Sequence, residues 1–506
     1  MLIPARFALL LPLLCIFAPA QETTPAAASN APALQKGRIV PAVRSAAKPE
    51  QSYALYVPTN YDPRRNWPII YVFDPSARGG VPLELMKEAA ESYGYLLAGS
   101  NNSHNGSWTV ARDAAQEMWS DTHRFLSIDD RRVYFAGLSG GARVSAELAR
   151  SCNCAHGVFL NSAGFLASSP SAPLPKPAFA AFLMAGMTDF NYGELVELDA
   201  QLESLGARHF LRRFDGGHEW APAIVWQEAL AWSAILEMKD NLRDRDPGVI
   251  SAELARATSR LRQREDAGDL YFALGEYRGV AAAFDGLADT SALKQQLSVL
   301  AASPAVREGA KEEKAEIERQ RNLEAEIFRI MEALRASRDG QVSQFAGAST
   351  PNQQLSESAA GALRASSGDQ ASLFADASAR IARLREDSIK ERRPESRRVL
   401  ERSLGGILAF TVETGGQIMD QEQNRTAEVY FELGAIAHPD STWPPLLLAK
   451  CHANLGDKKA ALRDLERARE NGSTIAELAE FVKANPKLAP LMDTPEFREL
   501  MAGASQ

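Results

Sequence analysis

The 506-residue sequence has little cysteine, no surplus of basic charge and, beyond residue 20, no long apolar run. Each absence excludes something. Four cysteines in that length cannot make a disulfide scaffold, and no Cys-x-x-Cys pair has a matching second pair, so no zinc site is expected. Lys and Arg number 56 against 64 Asp and Glu, a net charge of −8, the wrong balance for a general nucleic-acid binder. After the N-terminus no segment supplies the roughly 20 apolar residues that a spanning helix needs, so the mature chain is expected to have no integral membrane segment. What is present is 45% hydrophobic and 24% charged, an ordinary globular balance, in a chain long enough for two or more domains.

The N-terminus sets the compartment. Met1–Arg6 is a short positive segment, Phe7–Phe17 an apolar run, and Ala18-Pro19-Ala20 puts small residues at the positions a signal peptidase reads. Residues 1–20 therefore read as a signal peptide, and the mature protein as exported, periplasmic or secreted. Leu14 before Cys15 is not the small residue that lipoprotein processing requires. Residues 21–37, Ala-rich with little to bury, read as a disordered linker.

From residue 38 to about 240 strand-like apolar runs alternate with amphipathic stretches. Strands are expected at Tyr53–Val57, Pro68–Phe73, Tyr95–Gly99, Arg132–Ala136, Gly157–Asn161, Ala178–Ala185 and His209–Phe214. Helices fit between them at Val81–Ser92, Thr109–Leu126, Ala142–Ser151, Tyr192–Leu205 and Ala221–Met238. Near-continuous apolar strands and intervening helices predict a doubly wound, mostly parallel sheet covered on both faces.

The chemistry is expected at the strand ends. Arg132–Ala136 runs into Gly137-Leu138-Ser139-Gly140-Gly141, and a helical stretch follows at once. Gly-x-Ser-x-Gly between a strand and a helix is the sharp turn that presents a serine nucleophile, with glycines where side chains would collide with neighbouring elements. A base is offered by Phe214-Asp215-Gly216-Gly217-His218-Glu219-Trp220, which follows the last strand and precedes a helix. The other histidines fall in helices, at a strand start or nearer the nucleophile, not after the last strand. Asp189, ending Ala185-Gly186-Met187-Thr188-Asp189, is the expected third member that orients His218, with Asp215 as its rival. The chain order Ser139, Asp189, His218 is that of α/β-hydrolases. The oxyanion donors are expected to be the amides of Gly140 and Ser76, with Ala77 in reserve because Pro75 has no N–H. Asp74 pairs with Arg78 or Arg143, or Arg78 greets an acidic substrate group, and Trp108 and Trp220 are candidates to stack on a substrate ring.

Ile128–Tyr134 running into Gly137–Gly141, the Gly216–Trp220 loop and Trp108 upstream of the nucleophile resemble secreted esterases of the poly(3-hydroxybutyrate) depolymerase-like and feruloyl-esterase-like type. The resemblance covers residues 38–240. It implies an α/β-hydrolase carboxylesterase with Ser139, Asp189 and His218 as triad and no cofactor. Two features depart from that pattern: Asp74-Pro75 stands where the family has a His-Gly loop, and only Ser162–Pro177 is left for a cap over the site.

After residue 240 the strands stop. Ser251–Arg264, Leu270–Leu287 and Lys311–Arg335 have helical spacing, the last reading as a solvated surface helix or a coiled coil, and residues 338–372 read as a Ser/Gly/Gln-rich flexible segment within a helical region at 241–423. In residues 424–506 a period of 34 is visible: Ala427, Phe431 and Gly434 recur as Ala461, Leu465 and Ala468. That helix–turn–helix period resembles the tetratricopeptide family, with Leu274–Tyr277 and Phe284 as a more divergent copy. Such helices suit a protein partner, self-association or packing on the hydrolase. Cys152 and Cys154 stand close enough for a disulfide, although either could seek another partner, which leaves Cys451 as a buried thiol.

Two readings follow. The first is an exported serine esterase acting on a small or polymeric ester. The second is a tetratricopeptide-like interaction module carrying a weakly active or inactive hydrolase fold. A serine peptidase is subordinate to the first, because the same triad cuts amides.

Overall fold

The computed structural model describes residues 34–165, 174–339 and 367–502. The signal peptide expected at 1–20, nearly all of the 21–37 linker, the middle of Ser162–Pro177 and most of 338–372 lie outside the described residues.

Eight strands form a single sheet: β1 (Ile39–Arg44), β2 (Ser52–Tyr56), β3 (Trp67–Phe73), β4 (Leu96–Ser100), β5 (Ile128–Leu138), β6 (Ala155–Asn161), β7 (Ala180–Gly186) and β8 (His209–Phe214). Their order is β1-β2-β4-β3-β5-β6-β7-β8, with β1 and β2 antiparallel and every pairing from β4 to β8 parallel. β3 and β7 are buried along their whole length, which is why they read as unbroken apolar runs. The connecting helices are α1 (Gly80–Tyr93), α2 (Trp108–Phe125), α3 (Gly140–Cys152), α4 (Tyr192–Ser204) and α5 (Ala223–Lys239). A mostly parallel sheet flanked by helices, with a serine on the strand-to-helix turn after β5, is the α/β-hydrolase fold. Parallel strands point their C-terminal ends the same way, so the loops after β5, β7 and β8 share one edge of the sheet.

A helical region follows: α6 (Pro247–Asp266), α7 (Leu270–Phe284), α8 (Ser291–Ala302), α9 (Pro304–Asp339), α10 (Ser367–Lys390), α11 (Pro394–Asp420), α12 (Asn424–Ala437), α13 (Trp443–Asn454), α14 (Lys458–Glu470), α15 (Ile475–Ala484) and α16 (Pro495–Ala502), with a short 3₁₀ turn at Ala489–Asp493. Asp246 starts α6 by accepting from the Gly248 and Val249 amides, and Pro247 occupies the first position, where its missing N–H costs nothing. Residue 240 is not a break in the core. Trp226 and Ile235 of α5 share one buried cluster with Ile250, Leu261, Tyr277 and Phe284.

α9 departs from the expected surface helix or coiled coil. Ile327, Met331 and Leu334 enter a second buried cluster with Ile381, Ile407 and Phe431, and its Glu313 and Glu316 sit in ion pairs with Arg213 and Arg402. Carboxylates that read as solvent-facing are consumed by arginines from other elements, which helical spacing alone does not reveal. α12 and α14 begin 34 residues apart (458 − 424), and Ala427, Phe431, Ala461, Leu465 and Ala468 are all fully buried. Cys152 and Cys154 are joined by a disulfide, and burial pushes the free Cys451 thiol up to about 12.

Candidate active site

Ser139 lies between the end of β5 and the start of α3 with φ 53° and ψ −121°, a conformation that side chains rarely adopt. The neighbours enforce it. A Cβ on Gly137 would stand 2.1 Å from the Gly141 carbonyl, and one on Gly141 would stand 1.9 Å from the Phe73 carbonyl oxygen. Only glycine lets β3, β5 and α3 approach so closely. The Ser139 amide donates to Asn161 O at the end of β6 (2.9 Å). Gly140 opens α3, so its amide is among the first-turn donors that the helix's own carbonyls do not reach.

On the loops after β7 and β8, Asp189 Oδ1 and His218 Nδ1 are 2.9 Å apart. Asp189 is fully buried, and the same oxygen accepts from the Asn191 amide (2.8 Å), while its Oδ2 has no hydrogen-bond partner among the described residues. The carboxylate is thus fixed in orientation by its own loop before it meets the imidazole. Phe190, the next residue, stacks on the His218 ring with centroids 4.1 Å apart. Asp215, the rival acid, is exposed at the end of β8. Most other histidines are engaged elsewhere: His123 with Asp130, His156 with Tyr134 and Asp240, His209 with Asp199, and His452 with Asp464 and Glu428.

The loop after β3 differs from its expected role. Asp74 is completely buried and saturated with donors. Its Oδ1 takes the Ser76 amide (2.8 Å) and Arg78 Nε (3.0 Å), and its Oδ2 takes Arg78 Nη2 (3.0 Å) and Trp220 Nε1 (2.8 Å). The Ala77 amide donates to the Asp74 carbonyl (3.2 Å). Ser76 and Ala77, the expected second oxyanion donors, are therefore already bonded, and the Arg78 fork is spent on Asp74 rather than held open for a substrate anion. Trp220 packs in the core beside Trp226 and is 9% exposed, so its ring is not an open stacking face. Trp108 opens α2 and is 38% exposed.

Of three further neighbours of the site, Asn105 and Glu413 had no sequence signal. Asn105, whose amide is anchored on Pro75 O (2.8 Å), places its side chain where a Gly140 side chain would otherwise stand. Arg143, one turn into α3 and the alternative partner for Asp74, instead forks onto Glu194 at 2.8 Å on both branches. Glu413, from α11, is solvent-accessible, yet the surrounding protein raises its carboxyl above the usual range. The Arg143 guanidinium and the His218 imidazole pull it back down. A carboxylate from the helical region thus lies within electrostatic reach of the base. Among the described residues no cluster of His, Cys, Asp and Glu could hold a metal ion, and no helix is long and apolar enough to cross a membrane.

No family model and no curated protein matches the sequence. Among solved structures the chain is similar to an S-formylglutathione hydrolase from Staphylococcus aureus, at 12% identity, 40% of this chain, 98% of that one and a TM-score of 0.33. It is also similar to the esterase LipW from Mycobacterium marinum (17% identity, 39% and 82% covered, TM-score 0.32). A third is a feruloyl esterase module from Clostridium thermocellum (16% identity, 40% and 88% covered, TM-score 0.31). These likenesses concern the fold of the N-terminal two fifths of the chain.

Proposed function

We propose that the chain is an exported serine hydrolase that cleaves carboxylic esters through an acyl-enzyme. The observation that carries this reading is the 2.9 Å pairing of His218 Nδ1 with buried Asp189, on the same sheet edge as the constrained Ser139 turn. Ser139 Oγ attacks the ester carbonyl as His218 Nε2 takes its proton, and Asp189 stabilises the imidazolium that forms. The Gly140 amide bonds the oxyanion. Ser76 joins it only by sharing or releasing the amide that Asp74 now holds. The intermediate collapses, the alcohol leaves with the proton from His218, and water repeats the sequence on the acyl-enzyme. Residues 1–20 are assigned to export, and the substrate is a small or polymeric ester.

One observation favours the second reading, a weakly active or inactive hydrolase fold carrying a tetratricopeptide-like interaction module. Removing a single oxyanion donor costs on the order of 10²–10³ in kcat, and the Ser76 amide is bonded to Asp74. A panel of p-nitrophenyl esters and matched anilides, run with Ser139→Ala, separates the readings. Ester turnover lost in the variant, with anilides untouched, is expected. Anilide cleavage would assign a peptidase, and no turnover of either would favour the interaction module.

A further inference from the structure

The loop Met187–Asn191 between β7 and α4 carries the acid of the candidate triad and the ring that stacks on its base. Its hydrolase-side bonds run from the Met187 amide to Phe214 O (2.9 Å), the Thr188 amide to Gly216 O (2.9 Å) and Asn191 Nδ2 to Ser162 O (2.8 Å). Its two carbonyls flanking Asp189 are taken from the other side. Arg402 Nε of α11 donates to Met187 O at 2.7 Å, and Gln320 Nε2 of α9 donates to Phe190 O at 2.9 Å. Gly405 and Gly406 of α11 lie against Phe190, and Ile317 of α9 covers Gly193 at the start of α4.

Arg402 is an expensive way to fill that space. It is 0% exposed, with its guanidinium 3.8 Å from the centre of the Tyr192 ring and Nη1 3.3 Å from Glu316, while Nη2 has no hydrogen-bond partner among the described residues. A buried ion pair adds little net stability compared with a well-packed apolar side chain, but it fixes geometry. Here the geometry fixed is a carbonyl two residues from Asp189.

We propose that the helical region is a working part of the catalytic centre, with Arg402 and Gln320 as positioning residues that hold the Met187–Phe190 loop where Asp189 meets His218. The proposal rests on the serine-hydrolase reading for its activity readout. Neither residue touches a reacting atom; each acts through the Asp189–His218 pair and through Phe190. Displacing a catalytic group by about 1 Å can cost on the order of 10²-fold in rate.

The test uses the full chain with Gln320→Ala and with Arg402→Met, which keeps an unbranched apolar stem and leaves Glu316 its second partner, Arg398 (3.1 Å). Circular dichroism and the thermal midpoint first establish that each variant is folded. For p-nitrophenyl acetate, kcat is expected to fall about tenfold to hundredfold with KM little changed. In an Asp189→Asn background the same substitutions should then cost almost nothing, because they act through the group already removed. Equal losses in both backgrounds, or unchanged kcat in folded variants, overturn the proposal. A second readout needs no turnover: the downfield proton resonance of the His218–Asp189 hydrogen bond should be present in the wild type and shifted or lost in both variants. An identical resonance in all three overturns the clamp even if the chain proves to be no esterase, whereas wild type that turns over no ester, with the resonance still sensitive to Arg402, overturns only the esterase reading.

Discussion

The sheet-bearing region up to α5 and the helical region after it hold residues around the candidate site by different physical means. In the first, placement is done by the backbone: Ser139 is held by glycines whose neighbours leave no room for a Cβ, and Asp189 and His218 sit on loops that end adjacent parallel strands. In the second, placement is done by long side chains reaching out of ordinary helices, Arg402 and Gln320 to two carbonyls. Backbone placement tolerates no bulk but survives many side-chain changes. Side-chain placement tolerates bulk and depends on charge and reach.

The sharpest division is expected at Asp189. Asp189→Asn removes the orienting charge while keeping the shape, so kcat on p-nitrophenyl acetate should drop on the order of 10³–10⁴-fold with the circular dichroism spectrum unchanged. A loss below tenfold would transfer the acid's role to another residue. Next comes Gly141→Ala, whose Cβ meets the Phe73 carbonyl at 1.9 Å. It should cost about 3 kcal/mol or more in urea unfolding, or leave a chain that does not fold, whereas an added methyl on a solvent face of α9 should cost little.

Glu324, on α9 between Gln320 and Gly406, gives the helical region a pH dependence of its own. Burial raises its carboxyl to about 7, with the Gln320 amide opposing (2.9 Å). A folded-state value above the ordinary 4.5 means that the folded chain holds this proton more tightly than the unfolded one. The associated stability is complete below pH 4.5 and is lost as the pH rises through 7. Glu324→Gln, which keeps the acceptor and removes the charge, should therefore stabilise the protein by roughly 2 kcal/mol at pH 8 and by almost nothing at pH 4. Equal effects at both pH values would show that the group is not titrating in the folded chain.

The smallest effect belongs to Glu413. Burial holds its carboxyl above the ordinary 4.5, so Glu413→Gln should raise the thermal midpoint slightly at pH 8 and leave it unchanged at pH 4. Equal midpoint changes at both pH values would show that this carboxyl is not shifted in the folded chain.

The same contrast explains what could be read from sequence. Strands β2 to β8 were legible because burial on both faces forces apolar runs, and the serine turn because steric exclusion forces glycines. β1 was not legible: Ile39–Arg44 is an edge strand, partly exposed, interrupted by Pro41 where its pairing register shifts. At the site, Ser139, His218 and Asp189 could be chosen from their positions after strands. The commitments of the loop after β3 could not, since the Trp220 bond to Asp74 joins residues far apart in the chain. Arg402, Gln320 and Glu413 were invisible for the same reason. An arginine or glutamate in a helix reads as solvated until the partner that faces it is known.

The serine-hydrolase proposal depends on Ser139 being an activated nucleophile paired with His218. The most direct measurement is intact-mass analysis of the full chain after treatment with a fluorophosphonate, for wild type, Ser139→Ala and His218→Ala. One adduct is expected on wild type, mapped to the peptide containing Ser139, with none on Ser139→Ala and labelling slowed by orders of magnitude in His218→Ala. A wild-type chain that stays unlabelled, or an adduct that persists in Ser139→Ala, would contradict it.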